Sequence, residues 1–143
     1  MSQTYENDFY AWAMENADLL REGRFAEIDV DNIAEELESM GRSERRQLAN
    51  RLEVLLAHLL KWRYQPARRG NSWRYTIEEQ RRKVRKLLGD SPSLQPRLGQ
   101  EVAEVYLDAV LLAARETGRD KNEFPPGCPF TVDQVLRDDY WPE

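Results

Sequence analysis

Residues 43–62, SERRQLANRLEVLLAHLLKW, decide the class of the fold. Leu48, Leu52, Leu55, Leu59 and Trp62 follow one another at steps of 4, 3, 4 and 3. That spacing falls on one face of an α-helix, because every third or fourth side chain returns to the same side. Ala49, Leu56 and Leu60 widen the stripe, so the segment predicts a helix lying centrally among others. Working back, Val30, Ile33, Ala34, Leu37 and Met40 repeat at helical spacing behind Asp29, a good N-cap, and stop at Gly41. Ser43 can cap the chain again, so two helices are predicted here, one ending at Gly41 and one starting after Ser43. Before them, Tyr5, Phe9, Trp12, Ala13 and Leu20 mark the apolar side of a helix over roughly 7–21, read as core.

Working forward, the loop QPARRGNS at 65–72 leads to a fourth helix with Trp73, Ile77, Val84, Leu87 and Leu88 on its apolar side. Two starts are open: Ser72 as cap, or Thr76 with Glu79 in capping-box spacing. Glu78 with Arg82 and Glu79 with Lys83 form favourable i, i+4 pairs, leaving Arg74, Arg81, Arg85 and Lys86 with no obvious local partner. A fifth helix runs from Pro92 or Pro96 to Thr117, with Leu94, Leu98, Val102, Val105, Ala109 and Leu112 in phase. Six of the seven glycines, all but Gly99, fall where a hydrophobic pattern pauses, as expected of the left-handed residue after a helix. No strand-like alternation occurs. The tail from Asn122 holds FPPGCPF and then Thr131 and Gln134, a capping-box start to a short helix through Leu136. Phe124, Phe130, Tyr140 and Trp141 are too many aromatics for a free end, so segment 122–143 is expected to dock as a strap. The fold class is therefore all-α: a bundle of about five helices with a short C-terminal helix, in a single domain over 1–143.

At 143 residues the chain has the length of one ordinary domain. Cys128 is its only cysteine, which fits a reducing compartment and excludes zinc sites built from several thiolates. No stretch approaches the ~20 apolar residues of a membrane span, and the start, MSQTYENDFY, is acidic where a signal peptide is basic and then apolar. No membrane association and a bacterial-type cytoplasmic location are expected. The net charge of -5 conceals a partition. Residues 1–41 carry 2 basic and 11 acidic groups, residues 42–86 carry 14 and 4, and residues 87–143 carry 5 and 11.

The blocks EELESMGRSERRQLANRLEVLLAHLLKWRYQPARR, SWRYTIEEQRRKVRKLL, DSPSL and CPFTVDQVLRDDYWPE resemble the bacterial family known as domain of unknown function 29. The positions around His58, Trp62, Tyr64, Pro66, Trp73 and Asp90-Ser91-Pro92 carry the likeness, which extends from about Tyr5 to Pro142. It implies a helical fold and no established activity, so no catalytic residue is transferred.

Candidate chemistry is sparse. His58 is the only histidine and sits at the edge of the leucine stripe, where a hydrogen-bonded packing role is expected. Arg51 lies seven residues earlier on the same helix face, and the pair fits the loose Arg-to-His spacing of HEPN ribonuclease domains, which are small helical dimers. In that alternative, metal-independent reading, His58 is the general acid/base and Arg51 stabilises a phosphorane. One histidine cannot build a di-iron bundle. Asp31, Glu35 and Glu38 share a face that reads as solvated, and neither metal nor cofactor is expected. Cys128 has no sequence neighbour to lower its pKa. The cationic, aromatic segment is the best lead. Arg68, Arg69, Arg74, Arg81, Arg85 and Lys86 could hold a polyanion or a polar partner, with Trp62, Tyr64, Trp73 or Tyr75 offering stacking faces. The leading expectation is a non-enzymatic helical module that binds a protein partner or its own copy through this basic block. RNA binding is the competing class, marked by a steep dependence of affinity on salt.

Overall fold

Gly41 does not end a helix. In the computed structural model, which describes residues 4–143, one helix runs from Val30 to Tyr64 straight through Gly41 and Ser43. A single glycine costs a helix about 1 kcal/mol, and no proline occurs between residues 30 and 64 to interrupt the hydrogen-bond ladder. Six α-helices are present among the described residues and no strand: α1 (Thr4–Asn7), α2 (Phe9–Arg21), α3 (Val30–Tyr64), α4 (Asn71–Asp90), α5 (Leu98–Thr117) and α6 (Val132–Leu136). Short 3-10 turns at Phe25–Glu27, Pro66–Arg68, Pro92–Arg97 and Lys121–Glu123 make the connections. The bundle of about five helices is thus an all-α arrangement of four long helices and two short ones.

Other local expectations need correction. The helix expected over roughly 7–21 is α2, and the separate turn α1 precedes it, because the Asp8 carboxylate accepts from the Ala11 amide and restarts the chain as an N-cap. α4 begins at Asn71 behind Gly70, and Thr76 uses its hydroxyl on the Ser72 carbonyl one turn back instead of capping. Of the glycines, only Gly23 and Gly118 adopt positive φ. Gly118 closes α5 in the left-handed conformation, while Gly41 and Gly89 lie inside helices. At the tail, Thr131 and Gln134 do form the reciprocal capping box that opens α6.

Contacts divide the chain into two compact units, one ending at Ser43 and one spanning Glu44–Glu143. The second unit holds the apolar core. Leu48, Leu52, Leu55, Leu56, Leu59 and Leu60 of α3 are wholly buried, with Ile77 and Val84 of α4, Val102, Val105 and Ala109 of α5, and Phe124, Phe130 and Val135 of the tail. The buried Glu101 carboxylate accepts from Arg45 Nε at 3.0 Å.

In the first unit, α2 and the start of α3 run antiparallel. Tyr5 Oη donates to Glu36 at 2.6 Å and Trp12 Nε1 donates to Asp29 at 2.8 Å. Asn16 donates to the Trp12 carbonyl and accepts from the Asp29 amide. Trp12 and Asn16 are the only buried residues described in this unit. Of the apolar side read as core from the sequence, Trp12 is buried and Tyr5 and Ala13 are half-buried, while Phe9 and Leu20 are exposed; Val30, Leu37 and Met40 of α3 are exposed too. Two helices have one face each to offer the other, and here that face is used by a polar network centred on Asp29.

Candidate functional site

The six candidate cations among the fourteen of the basic block occupy three different environments. Arg81 is completely buried. Its guanidinium donates to the carbonyls of Val135 at 2.8 Å, Tyr140 at 2.9 Å, Gln134 at 3.1 Å and Asp138 at 3.5 Å, and packs 5.5 Å from the Trp141 ring. Burial works against its charge, and carbonyl oxygens take the place of water. Arg85 donates to the Leu136 carbonyl at 3.0 Å and pairs with Asp138. Arg69 reaches the carbonyls of Trp62 at 2.7 Å and Pro142 at 3.2 Å. These three arginines fasten segment 131–142, Arg81 from full burial and Arg85 from the surface. Lys86 pairs with Asp90 along α4. Of these six, Arg68 and Arg74 are exposed and free of ion pairs to described residues, as are Arg46, Arg63 and Arg82 elsewhere in the block.

Three of the four aromatic faces are taken as well. Arg69 lies 5.2 Å over Trp62, Trp62 packs 4.8 Å from Trp141, and the other cation of this stack is Arg81. Lys61, buried in the same unit, donates to Glu116 at 2.6 Å and sits 5.1 Å over Trp73. The chain's own cations therefore cover Trp62, Tyr64 and Trp73, while Tyr75 is 58% exposed with no cation over it.

Arg51 and His58 engage different partners. Arg51 donates to Gln80 at 3.4 Å and lines two shallow grooves between α3 and α4, one with Gln47, Asn50, Val54 and Gln80, the other with Glu44, Lys83, Lys86 and Asp90. His58 lines neither groove. Its Nδ1–H donates to the Val54 carbonyl at 2.9 Å, and burial holds its pKa below the ordinary value. Through Nδ1 this imidazole is tied to its own helix. Burial also pushes the Cys128 thiol up, away from the nucleophilic thiolate. Among the described residues no three His, Cys, Asp or Glu side chains converge to hold a metal ion, and no helix is long and apolar enough to cross a membrane.

The feature that sequence reading missed lies at the other end. Eleven large apolar side chains are exposed among the described residues, and eight belong to the first unit: Phe9, Tyr10, Met14 and Leu20 on α2, Phe25 in the connecting turn, and Val30, Leu37 and Met40 on α3. They are between 41% and 74% exposed. The unit is also acidic, with eleven carboxylates through Ser43 against Arg21, Arg24 and Arg42. An apolar, single-signed concentration of this kind is the usual mark of a docking surface. Its signal in the sequence was the coincidence of an amphipathic helix pair with too few partner helices to cover it.

No curated protein and no solved structure matches the chain. One family model does, the family described as Domain of unknown function DUF29, over residues 4–141. With nearly the whole chain matched and the helical architecture that the resemblance implied, the protein belongs to the Domain of unknown function DUF29 family.

Proposed function

We propose that the protein is a non-enzymatic interaction module, and that it docks a protein partner through the apolar face of its first unit. The observation that carries this reading is the placement of eight of the eleven exposed large apolar side chains within that one unit. It moves the expected docking surface from the basic block to the N-terminal helices, because Arg69, Arg81 and Arg85 are occupied in holding the tail. A bacterial cytoplasm is the location this reading assumes, in keeping with a single cysteine.

The test compares capture from a cell extract by the wild-type protein and by a Phe9→Glu, Leu37→Glu double variant. Leu37 is 60% exposed, while Phe9 also packs on Tyr5 and Trp12, so circular dichroism and the single Leu37→Glu variant control for loss of fold. A partner held by the wild type and lost by the variant is the expected result. Identical capture profiles overturn the proposal. So does hydrolysis of end-labelled structured RNA that vanishes in His58→Ala, which restores the nuclease reading.

A further inference from the structure

We infer that the occupant of this face is a cationic amphipathic helix of a partner protein, laid along the groove between α2 and the start of α3. The inference rests on the interaction reading above and names its partner. The first ground is the missing core. The unit ending at Ser43 buries one apolar side chain, Trp12, while its two helices expose a row of others. A helix pair closes only one interface, and a third helix is the smallest addition that gives both apolar stripes something to pack against.

The second ground is geometry. Antiparallel pairing is fixed by the Tyr5–Glu36 and Trp12–Asp29 hydrogen bonds. On α2, Phe9 and Leu20 lie eleven residues apart, three turns along the same side. On α3, Val30 and Leu37 lie seven apart, two turns along the same side. Measured from the bonded faces, both pairs are rotated in the same sense. In an antiparallel pair that brings them to one side, forming a two-ridged groove. α2 has 13 residues, so the groove is roughly 20 Å long and accommodates a helix of about 14 residues. Helix-in-groove docking uses apolar anchors at i, i+3 or i+4, and i+7.

The third ground is charge, and it decides between a foreign helix and a second copy. The unit's three arginines are already engaged: Arg21 with Asp18, Arg24 with Glu22 and Glu27, and Arg42 with Glu35. Glu6, Glu15, Asp31 and Glu38 form no ion pair with a described residue. Bringing two copies together face to face joins two surfaces with the same excess of eight negative charges and no spare cation. A helix flanked by Lys and Arg is attracted to a unit of this net charge, in which the unpaired Asp31 and Glu38 adjoin Val30 and Leu37 along α3.

The probe is a fluorescein-labelled helical peptide of about 14 residues with Leu at i, i+3, i+4 and i+7 and Lys at the flanking positions, titrated by anisotropy with the full chain. Two controls accompany it: the same apolar pattern with Glu flanks, and a scrambled Lys peptide of identical composition without an apolar face. The Lys peptide should bind at least about tenfold more tightly than either control, weaken with salt, and lose about tenfold or more with Leu37→Glu. Equal binding of the Lys and Glu peptides, or of the ordered and scrambled Lys peptides, overturns the inference. So does binding that Leu37→Glu leaves unchanged. Sedimentation equilibrium separates the two levels of the argument: a micromolar dimer dissolved by Leu37→Glu makes the second copy the occupant, overturning the cationic helix while the interaction reading stands. Neither dimer nor peptide binding removes the inference, and the capture experiment then decides the module itself.

Discussion

Replacing Arg81 by alanine should detach the C-terminal segment and remove a large share of the stability of the unit spanning Glu44–Glu143. Three guanidinium hydrogen bonds of 3.1 Å or shorter reach the carbonyls of Val135, Tyr140 and Gln134, and the side chain has no exposure to solvent. Each charge-assisted bond is worth roughly 1.5–3 kcal/mol, so the three give an upper figure of about 5–9 kcal/mol. Against this stands the desolvation of the guanidinium, several kcal/mol, which the variant no longer incurs. The net loss expected is about 3–5 kcal/mol, the range found when one side of a buried charged network is removed. Marginal stabilities of about 5–15 kcal/mol make that a loss visible in urea unfolding followed by tryptophan fluorescence. Arg81→Met separates cavity from polarity, because it fills most of the volume and leaves the same carbonyls without donors. It should cost nearly as much as alanine. Limited proteolysis supplies the local readout, with cleavage after Glu123 accelerating in both variants. If Arg81→Met stays within about 1 kcal/mol of wild type and the tail remains as protected, the carbonyl clamp is not what holds it.

Further outcomes follow from the same contacts. Gly41→Ala should stabilise the protein by about 1 kcal/mol, since Gly41 lies inside α3 with open space where a Cβ would sit; Gly118→Ala, at φ +71°, should destabilise by a similar amount, and equal signs would show that the two backbones do not differ. Because burial depresses the His58 pKa, the unfolded chain takes up its proton first as pH falls, so stability declines below the ordinary pKa of 6.5 and levels off once the folded imidazole also protonates. His58→Gln should lack that decline, and parallel stability curves for the two proteins would refute the assignment. The Lys61–Glu116 pair should be asymmetric. Lys61 is buried and Glu116 is half exposed, so Glu116→Gln strands an ammonium and should cost about 2 kcal/mol, whereas Lys61→Met frees a carboxylate that water can reach and should be close to neutral in thermal unfolding.

The basic block shows where a sequence misleads about a site. Arg74, Arg81 and Arg85 look alike on paper, three cations on one helix without local partners. Arg81 ends wholly buried, Arg85 is shared between the Leu136 carbonyl and Asp138, and Arg74 is exposed. The partners that separate them are main-chain oxygens more than fifty residues away, and a carbonyl leaves no trace in the side-chain code. Arg51 and His58 show the same limit, since seven-residue spacing put them on one side of α3, yet one turns to Gln80 and the other to its own helix.

By itself the sequence determined whatever depends on spacing along the chain. The leucine steps from Leu48 to Leu59, the reciprocal Thr131–Gln134 box and the phase of α5 all act over one or two helical turns, and each has the expected form in the structure. It misjudged Gly41 because a glycine's local cost of about 1 kcal/mol is small beside the cooperative ladder of a 35-residue helix. Which apolar stripes are covered depends on long-range packing. Val30, Leu37 and Met40 carry the same hydrophobic signal as Leu48, Leu52 and Leu55, yet the first set is exposed and the second is buried. Burial is a property of what packs opposite a face, and the sequence of the face alone does not contain it.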